Sequence, residues 1–68
     1  MTDFQINLKA LRKQNSLTQK KLAKILNVSE DSIYNWEKGR SEPSIDDLIA
    51  LATTLDTTID FLVGKDKI

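Results

Sequence analysis

The sequence predicts an all-α fold built from five short helices. Its apolar residues recur every three or four positions, which is the period of a helix with one buried face. Residues that favour helix starts stand before four of these apolar segments, at Thr18, Ser29, Ser44 and Thr58. No segment alternates apolar and polar residues as a half-buried strand would. With 68 residues, the chain has the length of one small domain with a modest core.

The first three helices are expected at residues 4–14, 19–26 and 30–38. Their inward-facing residues, at helical spacing, are Leu8, Leu11, Leu22, Ala23, Leu26, Ile33 and Trp36. Val28 is expected to enter the core between the second and third helices. A residue that accepts the left-handed backbone conformation follows each of these helices, namely Asn15, Asn27 and Gly39. We therefore expect each helix to end there.

The two remaining helices are expected at residues 45–54 and 59–63. The buried stripe of the first comprises Leu48, Leu51, Ala52 and Leu55, and Leu62 is the core residue of the second. Asp47 stands three residues after the cap at Ser44, as in a capping box. Asp56 is expected in the turn between the two helices, and Gly64 ends the second. Residues 65–68 are expected to form a loose tail.

Several classes of protein are disfavoured by composition. The chain contains no cysteine and no histidine, so it has no disulfide, no thiolate or imidazole metal ligand and no catalysis by either group. Asp46 and Asp47 are neighbours on a helix, where they point about 100° apart and do not converge on a substrate. We expect no enzyme, no cofactor and no metal. Without a membrane-spanning run or a signal peptide, a cytoplasmic location is expected.

The formal net charge of zero conceals a polarised chain. Residues 9–40 contain eight Lys and Arg and three acidic residues, which gives +5. Residues 41–68 contain two Lys and six acidic residues, which gives −4, and Asp3 supplies the remaining −1. The basic residues are either ordinary solvated helix faces or an electrostatic surface for a polyanion.

The basic half contains the segment LTQKKLAKILNVSEDSIYNWEKGR, residues 17–40. Two short helices joined by a tight turn, with polar residues outside the second, form the layout of a helix-turn-helix. The segment resembles the phage Cro and repressor-type helix-turn-helix family, also called xenobiotic-response-element-like, over residues 6–64. The resemblance implies a compact lambda-repressor-like domain of five helices. It also implies a sequence-specific double-stranded DNA-binding regulator, a repressor of phage, prophage or bacterial origin.

By this resemblance, the third helix carries the residues that face base edges or nearby phosphates: Glu30, Asp31, Ser32 and Asn35. The amide of Asn35 suits adenine, because it can bond N6 and N7 together. Glu30 and Asp31 leave two roles open. Their carboxylates either accept from cytosine N4 or only complement the positive end of the helix dipole.

The residues expected on the DNA backbone are Thr18, Gln19, Tyr34, Lys38 and Arg40. Gln19 lies in the first turn of a helix, where free N–H groups suit a phosphate, and the resemblance implies that it also buttresses the third helix. Trp36 either packs in the core or contacts DNA. The resemblance further implies a structural ion pair between Arg12 and Glu37.

The fifth helix is the dimer candidate, because Ile59, Phe61 and Val63 make it more apolar than one surface helix requires. These side chains either complete a monomeric core or meet a second copy. The resemblance implies a homodimer that places two recognition helices about 34 Å apart on an inverted-repeat operator. The neutral charge, with Glu30 and Asp31, favours an alternative: a protein-interaction module, such as an antitoxin subunit or the target of a protein antagonist.

Overall fold

The computed structural model describes residues 2–65. In that range the chain forms five helices and no strand: α1 at Thr2–Gln14, α2 at Gln19–Leu26, α3 at Glu30–Lys38, α4 at Ile45–Thr54 and α5 at Ile59–Leu62. The all-α prediction is confirmed. Helix α1 begins two residues earlier than expected, and α5 ends one residue earlier, with Val63 as its C-cap. Most of the tail expected at 65–68 lies outside the described residues.

Hydroxyl side chains cap the starts of the last four helices. Thr18, Ser29, Ser44 and Thr58 each have extended backbone and accept a hydrogen bond from the N–H three residues ahead. The N···O distances are 3.0 Å at Thr18 and Thr58 and 3.1 Å at Ser29 and Ser44. Each cap satisfies an N–H group that has no partner within its helix, which contributes about 1 kcal/mol.

All five helices end in the same backbone motif. A left-handed residue follows each helix, with φ between 54° and 82°, at Ser16, Asn27, Gly39, Asp56 and Gly64. The next residue then donates its N–H to the carbonyl five positions back, as Leu17 does to Arg12 over 3.0 Å. This is the Schellman arrangement, which satisfies carbonyls at a helix end. The repeated motif reverses the chain at each helix end.

The end of α1 corrects one expectation, because the left-handed residue is Ser16 and not Asn15. The Asn15 N–H still reaches the Leu11 carbonyl over 3.0 Å, and its side-chain Nδ2 bonds the same oxygen over 2.8 Å. The helical turn therefore continues through Asn15. The left-handed backbone conformation that ends the helix therefore occurs at Ser16.

The core lies where α1 meets α3 and α5, and where α2 packs on α3 and α4. Its buried apolar residues are Phe4, Leu8, Leu22, Ala23, Ile33, Trp36, Leu51, Ala52, Leu55 and Leu62. Leu11, Leu26, Val28 and Leu48, all expected inside, are half-buried and pack against it. Phe4 was not expected in the core from the sequence, and it is almost completely buried.

Two asparagines tie α1 to the C-terminal half of the chain. Asn7 Nδ2 donates to the Phe61 carbonyl over 2.9 Å and to the Leu62 carbonyl over 3.3 Å. Asn15 Nδ2 reaches the Leu55 carbonyl over 3.4 Å. These bonds fix α1 against the ends of α4 and α5, and α1 in turn supports α3. Within residues 2–65, no helix has the length and apolar character required to cross a membrane.

Candidate nucleic-acid interface

Helix α3 buries one side and exposes the other. Ile33 and Trp36 point into the core, and Trp36 is only 5 % exposed. The side chains on the outer face are Glu30, Asp31, Tyr34 and Lys38, which are exposed, and Ser32 and Asn35, which are half-exposed. The Trp36 ring therefore packs in the core, and a small part of the side chain stays accessible. The outer face presents carboxylates, hydroxyls, an amide and a cation, and all of these can contact nucleic acid.

A buried ion pair fixes the orientation of α3. Arg12 on α1 donates from Nε to Glu37 Oε2 over 2.6 Å and from Nη2 to Glu37 Oε1 over 3.2 Å. The two side chains are 10 % and 4 % exposed. The third guanidinium nitrogen, Nη1, donates to the Leu17 carbonyl over 2.8 Å. Bidentate geometry with a further bond to the backbone is the arrangement in which a buried charge pair is well compensated.

Gln19 extends this network to α2. Its Nε2 donates to Glu37 Oε1 over 3.1 Å, so one carboxylate on α3 receives bonds from both α1 and α2. The start of α2 and the inner edge of α3 are thereby held together. Gln19 and Thr18 lie at the beginning of α2, with Thr18 exposed, and their contacts with a DNA backbone stay predictions.

Two cationic side chains lie beside an exposed aromatic ring at the C-terminal end of α3. We call these three residues, Tyr34, Lys38 and Arg40, the Tyr34 cluster. Lys38 Nζ lies 5.6 Å from the centroid of the Tyr34 ring, and the Arg40 guanidinium carbon lies 5.7 Å from it. Cation–π attraction at exposed sites is worth about 0.5–1 kcal/mol per pair. Two cations are thus held on one exposed ring. The Tyr34 cluster brings together three of the five residues expected on the phosphate backbone.

The N-terminal end of α3 carries hydroxyls and carboxylates. Ser29 and Ser32 hydroxyls lie 2.9 Å apart, so Ser32 is already engaged with the capping residue. Glu30 and Asp31 are exposed in the first turn, and neither forms an ion pair within residues 2–65. Their position is favourable to the helix dipole and is also accessible to a base edge. Both roles therefore stay open for the pair.

The dimer candidates of α5 differ in exposure. Phe61 is 43 % exposed, whereas Ile59 and Val63 are half-buried and Ile59 packs on the core. Sequence reasoning missed two further exposed apolar residues on α4, Ile45 at 74 % and Ile49 at 50 %. The sequence could have indicated this pair, because the two isoleucines are four positions apart on one helix and lie outside the stripe assigned to the core. We call these three side chains the exposed α4–α5 residues: Ile45, Ile49 and Phe61.

Comparison with known proteins finds matches over nearly the whole chain. The family described as "Helix-turn-helix" matches residues 8–62. The transcriptional regulator ImmR of Bacillus subtilis is 33 % identical over 61 residues, which are 90 % of this chain and 48 % of ImmR. The antitoxin PezA of Streptococcus pneumoniae is also 33 % identical over 61 residues, 90 % of this chain and 39 % of PezA. The chain thus spans about half or less of these relatives.

Among solved structures, the P22 c2 repressor in complex with a synthetic operator matches with a TM-score of 0.87. The two proteins are 32 % identical, and the match covers 93 % of this chain and 96 % of that one. The c2 chain in that structure therefore contains almost the same elements in the same arrangement.

Proposed function

The chain belongs to the helix-turn-helix family, and from this membership we propose that it is a sequence-specific transcriptional regulator of double-stranded DNA. Its action is repression, and its origin is phage, prophage or bacterial. Helix α3 enters the major groove. The observation that carries the proposal is the outer face of α3, which presents Ser32 and Asn35 to the outside while its inner face is locked by Arg12 and Glu37.

Affinity comes from the DNA backbone and specificity from base edges. The Tyr34 cluster supplies two cations at one end of α3, and the start of α2 supplies Thr18 and Gln19. Asn35 is the principal base contact, with adenine as its partner. A protein bound in this way represses by blocking polymerase at the operator. The P22 c2 repressor, whose structure contains a synthetic operator, supports double-stranded DNA as the partner.

The operator is an inverted repeat bound by a homodimer in the bacterial cytoplasm. Phe61 exposes a large part of its aromatic side chain on α5, which supports a contact between copies there. Ile59 and Val63, which are half-buried, border it. Two-fold symmetry would place the two α3 helices about one turn of DNA apart, about 34 Å.

A protein-binding role on the same fold is the second candidate. The exposed α4–α5 residues lie within residues 41–68, where the net charge is −4. Apolar side chains among carboxylates suit a protein partner better than a phosphate backbone. The antitoxin PezA is one of the relatives, which supports this role or a protein antagonist of the regulator.

The experiment is selection of binding sites from random duplex DNA at about 0.15 M salt, where weak electrostatic binding is largely suppressed. Asn35→Ala is the test variant. Gln14→Ala, which removes an exposed amide from α1, is the matched control. An inverted repeat enriched by the parent chain and by the control, with one position lost in Asn35→Ala, supports the proposal. No enriched sequence with the parent chain would overturn it and favour the protein-binding role.

A further inference from the structure

A small notch lies between the N-terminal turn of α1 and the C-terminal end of α3. Its lining comprises Phe4, Gln5, Trp36, Gly39, Ser41 and Glu42, and it contains about 190 Å³ of empty space, including the part open to solvent. We propose that this α1–α3 notch is an additional site for one backbone phosphate of DNA, in which Trp36 and Gln5 donate to a phosphate oxygen. This inference rests on the proposed function, because the phosphate arrives as part of a duplex held by α3.

The indole nitrogen of Trp36 is the first argument. The side chain is 5 % exposed, and its Nε1 has no hydrogen-bond partner in the part of the chain that the structure describes. Within the same residues, no fully buried side-chain N or O atom lacks a partner. Nε1 must therefore lie in the small exposed fraction of Trp36. Since the indole N–H can only donate, its acceptor comes from outside the chain: water in the free protein, and a phosphate oxygen when a duplex is bound.

Gly39 places a second donor at the notch. This residue is the left-handed C-cap of α3, with φ of 76°, and a Cβ added to it would overlap the Gln5 side-chain amide. Glycine thus allows α1 to bring Gln5 directly against the end of the recognition helix. The Gln5 amide has no partner within residues 2–65, so its N–H groups remain available.

The residues around the notch favour a phosphate that is part of a larger ligand over a free anion. Ser41 adds a hydroxyl, and Arg40 of the Tyr34 cluster precedes it in the chain. Glu42, a residue with an interaction of its own, also lines the notch, and its carboxylate opposes a free anion. A phosphate oxygen on a duplex overcomes this repulsion because the contacts of α3 hold the duplex in place. We therefore expect no binding of inorganic phosphate alone.

The direct test observes the indole N–H. Trp36 is the only tryptophan in the chain, so a ¹⁵N-labelled sample shows one indole N–H resonance. The probe is the duplex selected as above, in which one phosphate at a time is replaced by an uncharged methylphosphonate. We expect the intact duplex to shift the resonance downfield and slow its exchange with solvent. One methylphosphonate position in each half-site should abolish both effects, and inorganic phosphate should produce neither.

The affinity test uses Trp36→Phe and Gln5→Ala, each expected to bind the intact duplex about tenfold more weakly, as loss of a hydrogen bond to a charged group requires. At the identified methylphosphonate position, the variants should bind as the parent chain does. Because neither change removes a charge, the salt dependence should stay the same. If Trp36→Phe does not fold, Gln5→Ala still tests the site, because Gln5 lies outside the hydrophobic core.

The outcomes separate this inference from the proposed function. If the parent chain binds no duplex, the proposed function itself fails. If instead the parent chain binds the duplex while no methylphosphonate position changes the effect of the duplex on the indole resonance, the α1–α3 notch is not a phosphate site. The proposed DNA-binding function is then unaffected. The inference is also overturned if Gln5→Ala and a methylphosphonate reduce the affinity additively at every position of the duplex.

Discussion

The side-chain Nε2 of Gln19 donates to Oε1 of Glu37 over 3.1 Å, and this bond joins the first residue of α2 to the inner edge of α3. Glu37 also receives two bonds from Arg12, so three donors from two other helices converge on one carboxylate. On its buried side, α3 is thus held by this charged residue together with the core residues Ile33 and Trp36.

Removal of Arg12 should strongly destabilise the fold. Arg12→Ala leaves the Glu37 carboxylate, which is 4 % exposed, without its cation, and we expect a loss of about 3–5 kcal/mol in the free energy of unfolding. Urea titration followed by helical circular dichroism measures the loss. Lys13→Ala, an exposed neighbour on the same helix, should change stability by less than about 0.5 kcal/mol. Equal effects of the two changes would show that the ion pair contributes little.

The amide of Asn35 should determine the preference at one or two base pairs. We expect Asn35→Ala to lose about 1–3 kcal/mol of discrimination there, because a bidentate pair with adenine is lost. Competition binding with duplexes substituted at each operator position measures this. A uniform loss on all sequences would instead place Asn35 on the backbone.

Much of the fold follows from local chemistry that the sequence displays directly. A capping hydroxyl before an apolar repeat predicts a helix start, and the starts at Thr18 and Ser29 are set by one hydrogen bond each. The end of α1 was less predictable. Asn15 and Ser16 are adjacent and both tolerate the left-handed conformation, so the outcome depended on whether one more helical bond could form.

The candidate site was less accessible to sequence reasoning. Tyr34 and Lys38 are four residues apart on one helix, so their contact is local. Arg40 joins them only because the turn at Gly39 folds it back towards the helix. On α4, apolar residues occupy more than one face, and periodicity alone could not decide that Ile45 is exposed while Leu51 is buried. The notch beside Trp36 depends on a contact between residues more than thirty positions apart.

Lys38 should contribute to affinity without contributing to specificity. We expect Lys38→Ala to weaken binding to all duplexes alike and to reduce the slope of log affinity against log salt by about one unit, as loss of one phosphate contact requires. Lys65→Ala is the control, because it removes the same charge from an exposed position after α5. The measurement is fluorescence anisotropy at several salt concentrations. A slope that Lys38→Ala leaves unchanged would remove this lysine from the phosphate contacts.

Phe61 should control the association of two copies. Its ring is 43 % exposed on α5, and a carboxylate there would place like charges opposite each other across a two-fold axis. We expect Phe61→Asp to shift the chain to a monomer in analytical ultracentrifugation while its helical circular dichroism is retained. Ile6→Asp, a change at an exposed isoleucine on α1, should leave association unchanged. If Phe61→Asp removes the helical signal, the ring supports the monomer core, and the dimer contact must be sought at Ile45 and Ile49 on α4.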